Sequence, residues 1–539
     1  MLRPYSHNFR INQVGDMTKK LILVFLALFL SQAVAQNLQA NPDSALVNIL
    51  EQLAGKPLGL QDAVKQAKQN ATSVRAAEAA YLAARGAVRR EAGLFDPELF
   101  FALEYFDQEQ PTASFFAGAP ILTTTQTTGS AGLRMQLPTG TSLEASLNTV
   151  RLKTNSAFAF LNPQYTTFGS LSLRQPLLGG FHVSARKELA RAEQAMKAAK
   201  ARYDQEVLAI RTQVENSYWD LYAAERDYAV QQLTRDQADA FLHETESRAR
   251  AGLIGPNQVA NARTFLAEQE ILLLDRDEQL DRLSDQLASL IGSRPESGQR
   301  HFITTDDPPG EFLLVDVDEL VGKAIRNNLD LHAAKADVEA VRALSKAAFW
   351  QAMPRVDLVG SLGGNGLSGM PQDVIFGGDT LRSTVSGELN DALSQSLKRD
   401  YPSWSVGVEV SVPLGLRSGL GEKSRLNAEV VIAEQRYIQV TRLLEELVRA
   451  SYRELFHGQR RLQAAREGVE AAQEQVRIGL IEFQNGRSTA FELVRLGADL
   501  AVAQQRYTQA LVRTAKAAAS LRQLTSGEYD GSAAVENVH

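Results

Sequence analysis

The chain has 539 residues, too many for one ordinary hydrophobic core, and with 44% hydrophobic and 22% charged residues it is not a disordered polymer. It contains no cysteine, which excludes disulfides, thiolate metal sites, a cysteine nucleophile and a lipidated N-terminal cysteine. Its net charge of −6 makes it a poor binder of nucleic acid.

The stretch MTKKLILVFLALFLSQAVAQ opens at Met17 with two lysines, an apolar run from Leu21 to Leu30, and Ala33-Val34-Ala35. This is the pattern of a secretory signal cut after Ala35, and the run is too short to span a bilayer. Residues 1–16 read as an upstream extension, with Met17 an alternative start. No later segment carries eighteen consecutive apolar residues, so no helical membrane span is expected. Residues 36–57 read as an irregular lead-in.

Leu60 to Gly93 is alanine-rich, free of proline and apolar at helical spacing, which predicts one helix. The period then changes to two. Leu99, Phe101, Leu103 and Tyr105 alternate with other residues, as do Ala131, Leu133, Met135 and Leu137, then Leu143, Ala145 and Leu147, then Gly169, Leu171 and Leu173. Pro138-Thr139-Gly140 reads as a three-residue hairpin loop. Centring the turn on Thr139 sets Met135 opposite Leu143 and Arg134 opposite Glu144, an opposite-charge pair on the polar side.

Past Gly180 the helical period returns for more than a hundred residues. Leu189, Met196, Tyr203 and Ile210 recur every seven positions, and Val207, Val214, Leu221 and Tyr228 form a second series offset by four, which is a coiled-coil seam. From His182 to Arg250 such a helix would reach roughly 100 Å. It reverses at Ala251-Gly252-Leu253-Ile254-Gly255-Pro256 and resumes to about Ile291, giving a long hairpin with a tight tip. Residues 293–311 are polar and hold three prolines, so they read as a linker, and the acids Asp306-Asp307 within it read as solvated.

The second half repeats the plan. QDAVKQAKQN, Gln61–Asn70, returns 257 residues later within DELVGKAIRNN, Asp318–Asn328: Val64 matches Val321, Ala67 matches Ala324 and Asn70 matches Asn327. A helix is predicted over Val317–Gln351, strands over Val356–Leu362 and Trp404–Val412, a polar glycine-rich loop over 363–403, and a second long coil whose tip is Gln484-Asn485-Gly486-Arg487-Ser488. The two repeats span 58–292 and 312–526, and a tail covers 527–539.

Alternating strands of this kind cross a membrane only if they close into a barrel, and one chain offers too few, so identical chains must share it. Coils of about 100 Å suit a tube that spans the periplasm. The alternative is a non-channel coiled-coil protein of the envelope. At this point the chain resembles the TolC family of outer membrane efflux proteins. The carriers are LGLQDAVKQAKQNATSVRAAEAAYLAARGAVRREAGLFDPEL, its repeat VDVDELVGKAIRNNLDLHAAKADVEAVRALSKAAFWQAMPRVDL, LSLRQPLLGG, SVPLGL and the tip AGLIGPNQVANAR.

The resemblance implies a mainly α fold with an internal tandem repeat. Long antiparallel coiled-coil hairpins form a periplasmic tunnel, continued by a membrane β-barrel that three chains share, an exit duct without enzymatic activity or cofactor. It implies a homotrimer in the outer membrane, with most of the chain in the periplasm. The partners implied are a periplasmic adaptor and an inner-membrane pump of the RND or ABC type, in drug efflux or in type I secretion. The family pattern has two strands per half, and the first half here has four. The extra hairpin, Ser130–Thr154, either extends outside the membrane, which is the expectation, or widens the barrel to about eighteen strands.

Adaptor docking is expected at Gly252, Leu253, Ile254, Gly486 and Arg487, where glycine permits the reversal and the apolar pair offers a contact. In the family, two acids after the second tip ring the narrowest point of the pore, and those positions here are Glu492 and Arg495. The family's gating tyrosine, its acidic partner and its arginine fall at Phe483, Gln258 and Ser488, so closure by the family's polar links is not expected. Two other motifs fail. In GLRSGLGEKS, Gly415–Ser424, Glu422 interrupts a phosphate loop, and after His243-Glu244 the second zinc-binding histidine is replaced by Ser247.

Overall fold

The computed structural model describes residues 42–295, 300–485 and 487–529. The signal segment, Gly486 and residues 530–539 lie outside the described residues. In chain order the elements are α1 (Pro42–Gln52), β1 (Lys56–Leu58), α2 (Leu60–Asn70), α3 (Thr72–Ala92), β2 (Glu98–Pro111), β3 (Ile121–Gln136), β4 (Ser142–Thr154), β5 (Leu161–Leu178), α4 (His182–Ala185), α5 (Lys187–Arg250), α6 (Pro256–Ile291), β6 (Phe302–Thr304), α7 (Val317–Asn327), α8 (Leu329–Gln351), β7 (Arg355–Pro371), β8 (Asp373–Phe376), β9 (Asp379–Arg382), α9 (Leu389–Lys398), β10 (Tyr401–Ser411), α10 (Arg417–Gln484) and α11 (Ala490–Leu524). The lead-in therefore holds a helix and a strand. No described helix is long and apolar enough to cross a membrane.

The chain forms two compact units. Of the described residues, the first comprises 42–77, 203–329 and 441–529, and the second comprises 78–202 and 330–440. In the first, the long helices form the core: Val214 and Leu221 of the seam read from the sequence are fully buried, as are Leu280, Leu287, Ile291, Leu455 and Leu521, while Tyr203, Val207 and Tyr228 of that seam are half-buried. Glu215 of α5 holds Arg522 of α11 at 3.0 Å, and Lys516 binds Asp220 about one and a half turns of helix away.

Each predicted short helix is broken in two. Ala71 and Asn328 take ψ of 126°, outside the helical range, with no proline or glycine to announce it. The cause is tertiary. The Asn70 amide donates to Ile291 O (3.1 Å) at the end of α6, and the Asn328 amide donates to Leu524 O (3.1 Å) at the end of α11. Asparagine side chains compete with helical backbone bonds, and here they satisfy carbonyls that a helix end leaves orphaned.

The expected linker is also structured. Its residues Phe302–Thr304 pair in parallel with Lys56–Leu58. Tyr218, fully buried, accepts from Thr305 N (2.9 Å) and Asp306 N (3.1 Å), and its hydroxyl lies 2.9 Å from Leu58 O. Burial pushes its phenol up to about 12. The acids read as solvated are exposed and also engaged: Asp306 accepts from Leu60 N (2.7 Å), and Asp307 accepts from Tyr222 Oη (2.8 Å) and Arg226 (3.0 Å).

Glu225, 2% exposed, accepts from Thr304 N (2.8 Å) and Thr304 Oγ1 (2.6 Å), and burial pushes its carboxyl up to about 7. A raised carboxyl pKa means that the fold keeps a proton the unfolded segment releases near pH 4.5. The contribution of Glu225 is therefore full below that pH and is lost as pH rises through about 7. The loss is on the order of 3 kcal/mol. Hydrogen exchange of the Phe302–Thr304 amides should show local opening becoming easier from pH 5 to 7.5 in the wild type relative to Glu225→Gln. A difference between the two proteins that does not change with pH would place the proton elsewhere.

In the second unit, small residues set the helix packing: Ala198 and Ala201 of α5 meet Ala333 and Ala336 of α8. Six strands form one antiparallel sheet in the order β10-β7-β5-β4-β3-β2. The hairpin register is the one read from the sequence, with Arg134 opposite Glu144 and Met135 opposite Leu143. The charge pair is not: Arg134 binds Glu98 on the other neighbouring strand, with two bonds of 2.8 and 2.7 Å.

The extra hairpin belongs to the sheet: β3 pairs along its length with β2 and with β4, and β4 pairs with β5, so it does not stand apart from the other strands. The expected loop over 363–403 is overturned. β7 runs on to Pro371, the small hairpin β8–β9 follows, and α9 packs back on the sheet.

Candidate functional site

Strand alternation gives the sheet two unlike faces. One carries Leu99, Phe101, Leu103 and Tyr105 on β2, Leu171 and Leu173 on β5, Leu362 on β7, and Trp404, Val406, Val408 and Val410 on β10, all of them exposed. The registers Leu99–Leu133, Ala145–Leu171 and Leu362–Trp404 confirm that these residues share a face. An exposed apolar face of this extent needs a non-aqueous neighbour.

The other face is polar. Ser146 and Ser170 hydroxyls lie 3.0 Å apart, and Ser361 and Ser405 hydroxyls 2.7 Å apart. Charges ring one end of it. Arg134 binds Glu98, and Arg174 of β5 reaches Asp357 of β7 (2.7 Å) and Glu409 of β10 (2.5 Å), tying three strands together. A concavity of about 560 Å³ opens here, lined by Glu98, Arg134, Glu144, Arg174, Ser361 and Ser405 among others. Asp357 and Glu409 escaped the sequence reading, although their place in the alternation of β7 and β10 assigns both to the polar side.

The first tip is built as the sequence implies. α5 ends at Arg250, Gly252 takes φ of +74°, which a side chain resists, and Pro256 starts α6 at a position where its missing N–H costs nothing. Leu253 is 73% exposed and Ile254 is half-buried. At the second tip Arg487 is exposed, while Gly486 is outside the described residues.

Beyond it, Thr489 caps α11 by accepting from Glu492 N (3.2 Å). Glu492 binds Arg495 at 2.7 Å, one turn on, and both side chains are open to solvent. Phe483 and Ser488 are half-buried and Gln258 is exposed in the first turn of α6. Among the described residues no hydrogen bond joins these three. Phe491 meets Phe241 of α5 with ring centroids 6.1 Å apart.

These features have counterparts among known proteins. The chain is 24% identical over 372 residues to nodulation protein T of Rhizobium leguminosarum bv. trifolii, covering 68% of this chain and 72% of that one. Its fold is similar to the outer membrane protein VceC of Vibrio cholerae, with a TM-score of 0.59, 16% identity, and coverage of 87% and 97% of the two chains. It is similar also to the CmeC outer membrane channel of Campylobacter jejuni, with a TM-score of 0.60, 12% identity, and coverage of 87% and 86%. The sequence pattern of the outer membrane efflux protein family matches residues 63–293 and 320–527, one segment in each half of the internal repeat. The chain thus belongs to the outer membrane efflux protein family.

Proposed function

We propose that three copies close one barrel by pairing the free edge of β2 with the free edge of β10 on the next copy. The barrel would have about eighteen strands, with the apolar face to lipid and the polar face to the lumen. The observation that carries this reading is the six-stranded sheet with unlike faces, whose edge strands Glu98–Pro111 and Tyr401–Ser411 have no partner on their outer sides among the described residues. Long unpaired edges invite association, and closing the ring removes them. The duct acts passively at the exit of a tripartite system, with a periplasmic adaptor and an inner-membrane RND- or ABC-type pump that selects the cargo. The purified protein in detergent should be a heat-sensitive trimer that conducts ions in planar bilayers. A non-conducting monomer would overturn this reading in favour of a structural coiled-coil protein.

Adaptor docking is placed at the tips. Leu253 is exposed beside a glycine that fixes the turn, so its side chain is free to serve a contact. Leu253→Asp should abolish export in cells while trimer yield is unchanged. Export at the wild-type level would remove the docking role.

The constriction is placed at Glu492. Threefold symmetry would gather three of its carboxylates, each partly offset by its Arg495. Glu492→Gln should lower cation preference and weaken block by divalent cations in single-channel recordings. If both stay as they are, Glu492 lies outside the constriction, and its pairing with Arg495 is an ordinary surface pair.

A further inference from the structure

Helix α9 is seated on the apolar side of the sheet. Ser396 Oγ donates to Gly364 O (2.8 Å) and accepts from Gly169 N (2.7 Å), while Thr167 Oγ1 donates to Ala392 O (2.6 Å) and Ser368 Oγ donates to Glu388 O (2.6 Å). Glycine makes this approach possible, since a Cβ on Gly364 or Gly366 would run into the carbonyl of Ser396 or Ala392. Gly169 lies opposite Gly364 and Thr167 opposite Gly366, on the face of Leu171 and Leu362. The C-terminal end of α9 therefore lies over the first outward position beyond Leu362.

The helix has two unlike flanks. At 100° per residue, Leu389, Leu393 and Leu397 fall on one side of the buried Ala392–Ser396 seam, and Asp391, Gln395 and Lys398 on the other. Gln395 spends its carbonyl on Leu367 N (2.9 Å). Leu397 is 69% exposed, and Leu389 is exposed as well. An outer membrane apolar band about 25 Å tall, crossed by strands tilted about 40°, takes about ten residues of strand. On β7 the outward apolar run from Val356 ends at Leu362, short of that, and the next outward positions are the two glycines, which present no side chain. The leucine flank begins where the run stops.

We propose that α9 is an interfacial membrane segment, whose Leu389–Leu393–Leu397 flank enters the acyl layer at the outer margin of the band while its Asp391–Lys398 flank stays among the headgroups. The segment completes the lipid-facing surface over the glycines of β5 and β7 and fixes the depth at which the barrel sits. This rests on the apolar face being the lipid face, so the test includes that face as a control.

Because the chain has no cysteine, one introduced thiol carries one label. Full-length Leu397→Cys, Val406→Cys and Lys398→Cys proteins, each bearing an environment-sensitive fluorophore, are reconstituted into vesicles without brominated lipid or with acyl chains brominated near the headgroup for positions 397 and 398 and at mid-chain for position 406. Leu397→Cys and Val406→Cys should both be quenched about twofold or more, and Lys398→Cys little. Quenching at Val406→Cys without quenching at Leu397→Cys would place α9 in water and overturn the proposal. Equal quenching at Lys398→Cys would overturn the two-flank orientation. No quenching at Val406→Cys would remove the lipid assignment of the face, and the proposal with it.

Discussion

Arginine in place of Val408 is expected to remove the protein from the outer membrane fraction, whereas arginine in place of Ser405 leaves it there. Val408 is 62% exposed and sits in the middle of the outward run from Trp404 to Val412, opposite Leu358. A guanidinium at the bilayer midplane costs about 2–4 kcal/mol per chain, and a threefold ring carries that cost three times. Ser405 lies three positions away and points to the polar side, where its hydroxyl meets Ser361 at 2.7 Å. An arginine there adds a lumenal charge and should change ion selectivity while the trimer forms. Membrane fractionation with a heat-modifiability gel reads both variants. Wild-type recovery of Val408→Arg would show that this face does not meet lipid.

Excising the hairpin Ile121–Thr154, with a short turn joining what remains, should narrow the outer mouth without preventing assembly. β2 and β5 would then become neighbours. They already run antiparallel, because two strands lie between them. Their faces also agree: following the register across the hairpin, Glu98 meets Arg134, Glu144 and then Ser172, all on the polar side. Barrel diameter grows roughly linearly with strand number, so a threefold ring that loses two strands per copy should shrink by about a third. The size of neutral polymer that enters from the outer side measures this directly. An unchanged size limit would show that the hairpin is no part of the barrel wall. The excision also strips Glu98 of Arg134, its partner in two hydrogen bonds, so some loss of trimer thermal stability accompanies the narrowing.

What could be read from the sequence was whatever local chemistry determines. The turn at Pro138-Thr139-Gly140 fixed the hairpin register to the residue, because only one centring keeps both faces consistent. The heptad series found Ile210, Val214 and Leu221 among the buried residues of α5, and glycine followed by proline found the first tip. What escaped was decided by distant partners. The breaks at Ala71 and Asn328 exist because asparagine amides reach the ends of α6 and α11, 221 and 196 residues away along the chain. Gly363, Gly364, Gly366 and Gly369 suggested a loop. They are instead strand residues, two of them kept bare so that α9 can lie against them. Three-residue β6 was too short to carry a period, and Tyr218, which organises it, read only as a residue of the coil. At the candidate gate, the sequence placed Glu492 and Arg495 one turn apart and the structure joins them, while their position relative to a pore belongs to an assembly of several chains.

The base of the added hairpin has a consequence for how such a pore can change over evolutionary time. The Leu137–Thr141 turn ends blind: no helix continues from it, and it is seated by Gly140 against the Gly180–Phe181 connection and by Thr141 against Gln175. The chain leaves this detour in the direction and on the face with which it entered. A segment of this kind can be gained or lost by a single in-frame insertion or deletion, with every helix and every tip untouched. Calibre can thereby vary separately from the long helices and their tips. It can vary only in whole hairpins, because a single added strand would send the rest of the chain out through the wrong end of the wall.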